Sequence, residues 1–369
     1  MTPNTLFIVA GGTGGHVMPA LALRHALTDS GLEAHFICDM RGQKYVPHDM
    51  PHTHTMPLAS KSPLGIARAV LWSMKQLRAY KPSCVVSFGG YPAFPMNIAA
   101  LLLRVPLMLH EQNALMGRVN RLFAPFASKV ALSWEKTQGL PTRWMNETNI
   151  HVTGLPVRQD FETLRNQSYT PCPPQEPFHI LVLGGSQGAT IFSKIVPKTL
   201  ASLSEKLHKR IRLTMQCPAS SLKEAKDICQ KGNIEAHVDV FFQNVSALLK
   251  EAHLVICRSG ASSVAEIAYC GRPALFVPYP LAKDDHQRWN AQSLVDEGGA
   301  WMLDQEHFTQ DRLTCHIERL AQNPHLLLFA AERARALAHP RALQALVGLV
   351  REVMPYEQRQ AVKKEILGA

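Results

Sequence analysis

The sequence predicts an α/β protein of two similar domains, each a parallel sheet with helical crossovers. Three observations carry this. Short apolar runs of strand length alternate with helix-length patterns. An apolar strand, a glycine turn and a helix occur first as "LFIVAGGTGGHVMPALAL" and again as "FHILVLGGSQGATIFSKIV". Between the two halves lies "SYTPCPPQEPF", residues 168–178, a proline cluster that excludes helix or central strand and reads as a linker.

In order, residues 6–10 read as a strand, 19–28 as a helix ended near Gly31, and 34–38 as a strand. Residues 64–80 read as a helix, 84–88 as a strand, 95–103 as a helix and 107–110 as a strand. A second echo lies deeper in each half. "CVVSFGGYPAFPMNIAALLLRVPLMLH" and "LVICRSGASSVAEIAYCGRPALFVPYP" share strand, small-residue turn, helix and strand. Paired domains of this kind place the ligand at the carboxyl ends of both sheets.

The glycine pairs Gly11, Gly12 and Gly184, Gly185 lie at these strand-to-helix turns. Bare backbone there lets N–H groups approach an anion, and the helix N-terminus adds positive potential. A tight turn that needs φ > 0 explains one such loop equally well. Two equivalent loops favour phosphate binding. The common nucleotide motifs are absent: Val17 breaks G-x-G-x-x-G, and there is no G-x-x-x-x-G-K-[ST]. "HEQNA" ends in Ala114, so it is no H-E-x-x-H zinc motif, and no D-x-D pair occurs to hold a metal on a diphosphate. His16, beside the first loop at a helix start, is the titratable group placed for proton transfer, although a lone histidine is more often structural.

The chain has 369 residues, a net charge of +10 and a pI near 9.3. That balance suits phosphorylated substrates or anionic lipid. With no compact Lys/Arg block interleaved with aromatics, nucleic acid is not expected. Eight scattered cysteines without a C-x-x-C pair suit free thiols in a reducing cytoplasm. The N-terminus lacks the basic region of a secretory signal, and no apolar run is long enough to span a bilayer.

Several stretches together resemble the MurG family: "GGTGGHVMPALAL", "SFGGYPAFP", "LHEQNALMGRVNR", "VTGLPVR", "LGGSQGA", "CRSGASSVAEIAYCGRPALFVPYP" and "DDHQRWNA". They follow that family's order from residue 11 to 291. The resemblance implies a GT-B fold, two Rossmann-like domains whose parallel sheets face a central cleft. It implies an N-terminal acceptor and membrane-facing domain over 1–160, joined by a C-terminal helix at about 341–369. A linker at 161–177 and a donor domain at 178–340 complete the expected organisation. The implied reaction is metal-independent, inverting transfer of N-acetylglucosamine from UDP-GlcNAc to the muramyl-pentapeptide pyrophosphoryl-undecaprenol lipid of peptidoglycan synthesis, with no cofactor. Implied partners are these two substrates, an anionic membrane surface, and cell-wall and division proteins. The implied location is the cytoplasmic face of the bacterial inner membrane. Another lipid glycosyltransferase, a sugar-nucleotide epimerase of the same fold, or a non-catalytic UDP-sugar-binding partner remain alternatives.

By the same resemblance, Thr13, Gly14 and Gly15 lie near the diphosphate and sugar, and His16 is the candidate base. Asn113 touches the sugar, and Arg158 and Ser186 are phosphate partners. Phe242 meets uracil through its backbone. Ala261, Ser262, Ser263, Val264, Ala265 and Glu266 cap the nucleotide, Glu266 accepting the ribose hydroxyls. Gln287 reads the sugar hydroxyls. Taken singly, Glu266 also fits a helix cap near Ser262, Arg158 a pair with Asp160, and Asn113 a turn. Leu155 stands where the family often has Asn, and Arg288 where it often has a small or neutral residue.

Residues 61–81 read as a helix with an apolar seam of Ile66, Val70, Met74 and Leu77. Leu64, Leu71 and Trp72 extend beyond it, and Lys61, Arg68, Lys75, Arg78 and Lys81 supply basic charge without an acid. This composition fits either core packing with a solvated face or a helix lying against anionic lipid.

Overall fold

The computed structural model describes residues 5–58, 62–185 and 189–355. The chain forms two compact units, residues 1–158 with 339–369, and residues 159–338. The first is built on strands β1 (Thr5–Val9), β2 (Glu33–Cys38), β3 (Thr53–Thr55), β4 (Val85–Ser87), β5 (Leu107–Glu111), β6 (Lys129–Leu132) and β7 (Ile150–Val152). The second is built on β8 (Phe178–Leu183), β9 (Ile211–Gln216), β10 (Glu235–Asp239), β11 (Leu254–Cys257), β12 (Ala274–Phe276) and β13 (Trp301–Met302).

The first sheet runs β3-β2-β1-β4-β5-β6-β7 and the second β10-β9-β8-β11-β12-β13. Every strand pairs in parallel. Each sheet therefore starts at an inner strand, runs outward, then reverses. The reversal falls between β1 and β4 in one unit and between β8 and β11 in the other. At such a switch point adjacent loops diverge and leave a crevice for ligands. Both sequence echoes sit here, one after the first strand of the pair and one after the second.

Alternation along β1 explains the layers of the first unit. Leu6 and Ile8 join a core that includes Val17 and Leu21 of the Gly14–Asp29 helix and Leu346 and Val350 of the Ala342–Val353 helix. Phe7 and Val9 face the opposite core, with Leu77 of the Pro63–Tyr80 helix and Met96 of the Phe94–Leu102 helix. A strand covered on both faces is apolar throughout, and β1 is buried along its whole length. The first unit thus takes one layer from residues that follow the second unit.

Two expectations are revised, and one pair of alternatives is narrowed. The first helix starts at Gly14 rather than 19, with Pro19 inside it. Thr13 is extended and ends the loop, so His16 is already helical. The proline-rich stretch is a strut of the second unit rather than a free linker. Tyr169 and Cys172 are buried in that unit's core. Tyr169 Oη donates to His253 O at 3.0 Å, and Arg210 donates to the carbonyls of Pro173 and Glu176 at 2.8 Å each. Prolines fix the path, and the two side chains anchor it. Finally, the seam on the Pro63–Tyr80 helix faces inward: Leu77 is buried and Ile66, Val70 and Met74 are half-buried. The outer face carries Leu64 and Leu71, 62% and 66% exposed, among exposed Arg68, Lys75 and Arg78. Lys61 lies outside the described residues, as does the chain beyond 355.

Seven of the eight cysteines are buried free thiols, and Cys315 is exposed. Among the described residues no helix is long and apolar enough to cross a membrane.

Candidate active site

The residues singled out by the sequence all follow the carboxyl ends of strands. Thr13, Gly14, Gly15 and His16 come after β1, Asn113 after β5 and Arg158 after β7. Phe242 comes after β10, the turn from Ala261 to Glu266 after β11, and Gln287 after β12. Ser186 lies outside the described residues.

In the first unit the loops after β1 and β4 touch. A Cβ on Gly11 would stand 2.3 Å from Pro92 side-chain carbons, so glycine is what lets the two loops meet. Gly12 has φ +80, and its N–H donates to Asp39 Oδ1 at 3.1 Å. The helix from Gly14 carries no acid in its own first turn, which suits its N–H groups and dipole to an anion. His16 Nδ1 lies 2.9 Å from Thr13 Oγ1. Gly90, at φ +76, approaches both: a Cβ on it would sit 3.2 Å from Gly11 O and 3.8 Å from His16 Cδ2. The imidazole is therefore half-buried under the second glycine loop.

Asn113 is held by a neighbour the sequence reading passed over. Glu111, at the end of β5, is buried and accepts four N–H bonds. They come from Asn113 N at 3.0 Å, Asn113 Nδ2 at 3.2 Å, Gly117 N at 2.9 Å and Asn120 Nδ2 at 2.8 Å. Burial raises the Glu111 pKa, and these four donors counter that shift. His110 is buried beside it. Gln112 Nε2 donates to His110 Nδ1 at 2.9 Å, so His110 Nε2–H donates to Gly154 O at 3.2 Å. Desolvation pulls His110 down to about 4, opposed by its bond to Gly154 and aided by nearby His16.

In the second unit, Gly260 caps the Ala261–Cys270 helix, whose first turn also lacks an acid. Ala261, Val264 and Ala265 are buried, and Ser262, Ser263 and Glu266 are half-buried. Glu266 sits in the second turn, too deep to cap this helix. Arg258, also passed over, is buried behind the turn. It donates to the carbonyls of Val277 and Pro278 at 3.0 Å and to Gln305 Oε1 at 2.6 Å. These bonds tie the end of β11 to the loop after β12. Gln287 Oε1 accepts from Tyr279 N–H at 3.0 Å, which orients its carboxamide. Phe242 is half-buried, edge-on to His237 at 5.1 Å.

Residues 6–132 match the glycosyltransferase family 28 N-terminal domain, and residues 179–346 match the family 28 C-terminal domain. The UDP-N-acetylglucosamine--N-acetylmuramyl-(pentapeptide) pyrophosphoryl-undecaprenol N-acetylglucosamine transferase of Paramagnetospirillum magneticum is 38% identical over 362 residues. That match covers 95% of this chain and 97% of the relative. The protein of the same name from Erythrobacter litoralis is 40% identical, covering 93% and 88%. The crystal structure of Acinetobacter baumannii MurG superposes with a TM-score of 0.80 at 30% identity, covering 95% of this chain and all of that one. The chain belongs to the MurG family.

Its GT-B architecture and its two Rossmann-like units follow the family. Arg288, a departure from the family pattern, is engaged at home: it pairs with Asp285 at 2.9 Å and Asp304 at 2.7 Å. Leu155, the other departure, is buried. Glu111 did leave a signal, a carboxylate ending the apolar strand "LMLHE". A charge in a buried parallel strand must be satisfied by its surroundings. Arg258 left the same signal after "LVIC".

The depressed His110 pKa predicts acid sensitivity. His110 stays neutral when folded, while an unfolded chain protonates it below about 6.5. Its contribution is intact above that pH and is lost as pH falls toward about 4. The loss is about 3 kcal/mol at most. Urea titrations across this range should show a shallower decline for His110→Gln, which keeps a donor for Gly154 but cannot titrate. An unchanged slope would remove His110 as the cause.

Proposed function

We propose that this chain moves N-acetylglucosamine from UDP-GlcNAc to the muramyl-pentapeptide pyrophosphoryl-undecaprenol lipid with inversion at the anomeric carbon. The observation that carries the reading is 37–40% identity over nearly the whole chain to relatives of this transferase name, with His16 on the helix that follows the first glycine loop. The second unit holds the donor. Glu266 accepts the ribose hydroxyls, and the Phe242 backbone meets uracil. The N-terminus of the Ala261–Cys270 helix, Arg158 and Ser186 take the diphosphate. Asn113 and Gln287 read the sugar.

His16 acts as the base from Nε2. In the neutral tautomer with the proton on Nδ1, His16 donates to Thr13 Oγ1, and Nε2 is the basic nitrogen that takes the acceptor proton. The acceptor oxygen forms the new bond to the anomeric carbon, and its proton passes to Nε2. The bond to UDP breaks, and UDP leaves with the electron pair. Charge grows on the diphosphate, where N–H groups and Arg158 stabilise it; fixed donors of this kind are worth roughly 3 kcal/mol each. Thr13 is a positioning residue in this scheme.

The acceptor is anchored in lipid, so we place the first unit against the cytoplasmic face of the inner membrane. The outer face of the Pro63–Tyr80 helix supports this, with Leu64 and Leu71 exposed among three basic residues. Each Lys or Arg near an anionic surface adds about 1 kcal/mol.

His16→Ala should lower turnover by ~100-fold or more with little change in UDP binding; near-normal turnover would place the base elsewhere. Arg158→Ala should weaken UDP more than uridine, and Glu266→Ala should weaken both, measured by calorimetry. Equal losses of the two ligands in Arg158→Ala would sink the phosphate assignment. Gln at positions 68, 75 and 78 together should reduce sedimentation with anionic vesicles and turnover of the lipid acceptor, while sparing a soluble short-chain acceptor. Unchanged sedimentation would move the docking surface off this helix.

A further inference from the structure

The first sheet carries a second polar constellation, at the end opposite the glycine loops. Glu33 pairs with Thr5 at the start of β1, so it marks the amino end of β2. Glu33 and His35 are two residues apart and share one face of β2. His52 directly precedes the edge strand β3, and His54 lies within it, again two apart. Because β2 and β3 are adjacent and parallel, strand periodicity brings one carboxylate and three imidazoles together.

The contacts are close. His35 Nε2 lies 2.7 Å from Glu33 Oε1, and His52 Nδ1 lies 3.8 Å from the same oxygen. The three ligating atoms of Glu33, His35 and His52 all lie within 4.8 Å of one another. The His35 ring stacks on His52 at 4.7 Å and on His54 at 5.0 Å. On its other side His35 Nδ1 lies 2.9 Å from His54 Nε2. Phe7 and Tyr80 wall the group, 5.5 Å and 4.6 Å from the His35 ring. His35 is buried, while the Glu33 and His52 side chains are 40% and 50% exposed, which leaves a path from solvent.

We propose that Glu33, His35 and His52 form a three-ligand site for a dication of the Zn2+ class, with His54 orienting His35 and water in the fourth position. Two imidazoles and one carboxylate are a donor set that zinc accepts, with bonds of roughly 2.0–2.2 Å. The same set disfavours Mg2+ and Ca2+, which take mostly oxygen. Ligands in a tetrahedron lie a little over 3 Å apart, and the separations here bracket that spacing. The proton balance is explicit. Neutral His35 binds the ion through Nε2, and His54 keeps its own proton on Nδ1. The single ring proton of His35 moves to Nδ1 and is donated to His54 Nε2. That is the outer partner metal-bound histidines usually have. The site lies away from the transfer chemistry. Its effect is to pin the three-residue edge strand β3 to β2, and binding to the folded state alone stabilises it.

The test is calorimetric titration of the full chain with ZnCl2, MgCl2 serving as control, and Co2+ absorption reporting a four-coordinate site. The expected result is one Zn2+ equivalent and a melting temperature raised by zinc. His52→Ala and Glu33→Gln, both at half-exposed positions, should each weaken that binding at least ~10-fold and abolish the thermal shift. His54→Gln should weaken it ~10–100-fold, the scale for loss of an outer partner. Exposed histidines elsewhere and Cys315 take zinc in all variants alike, so the difference decides. An isotherm shared by wild type, His52→Ala and Glu33→Gln overturns the site, as does a wild type that binds no zinc.

Discussion

The candidate site of the first unit depends on one buried carboxylate. Glu111 is held by four N–H donors from Asn113 and Gly117 of the loop it precedes and from Asn120 of the helix that follows. Removing the acceptor costs about 1–3 kcal/mol for each donor it leaves buried and unsatisfied. The constraint spreads outward. Asn120, fixed by Glu111, also donates to His110 O at 3.0 Å and lies against Gly89, where a Cβ would stand 2.8 Å from its Oδ1. Gly89 and Gly90 both have positive φ, and Gly90 in turn leans on Gly11 and His16. The position of the imidazole is thus set through a chain of contacts that begins at the end of β5.

The second unit uses the opposite charge for the same purpose. Arg258 leaves β11 buried and spends its donors on carbonyls and an amide rather than on an acid. Its guanidinium also lies over the rings of Phe192 and Tyr279, at 5.1 and 5.4 Å. Desolvation lowers its pKa, yet an arginine stays charged, and a cation at the carboxyl end of β11 suits a sheet edge that meets an anion. Among the described residues of both units, the hydrogen-bond partners of the buried charge are backbone groups and side-chain amides rather than opposite charges. This fixes loop geometry without neutralising the field at the sheet edge.

Much of this was legible in the sequence, for reasons that differ by element. Buried parallel strands are apolar runs, so β1, β2, β4 and β5 stood out to within a residue or so. The strand-order reversal showed as two echoes, because each unit repeats the same pair of loops. The start of the first helix was hidden by Gly14, Gly15 and Pro19, three residues of poor helix propensity tolerated near an N-terminus. The proline stretch misled in the other direction, since composition does not reveal that Tyr169 and Cys172 find a core. The seam on the Pro63–Tyr80 helix was correctly periodic, but periodicity marks a face without saying what covers it. Glu111 and Arg258 were in plain view, yet the partners of Arg258 lie in loops well beyond it, and those of Glu111, though near in sequence, converge on it only once the chain after β5 has folded.

The Ala342–Val353 helix gives the molecule an order of assembly. During synthesis the first seven strands emerge with Leu6, Ile8, Val17 and Leu21 lacking the cover that Leu346 and Val350 later supply. The whole second unit, whose core is drawn from its own residues, is made before that cover arrives. A ribosome that stalls after the second unit therefore releases a chain with one finished half and one half showing naked apolar surface, the signature that chaperones and proteases recognise. A late-made helix acts in this way as a certificate of completeness.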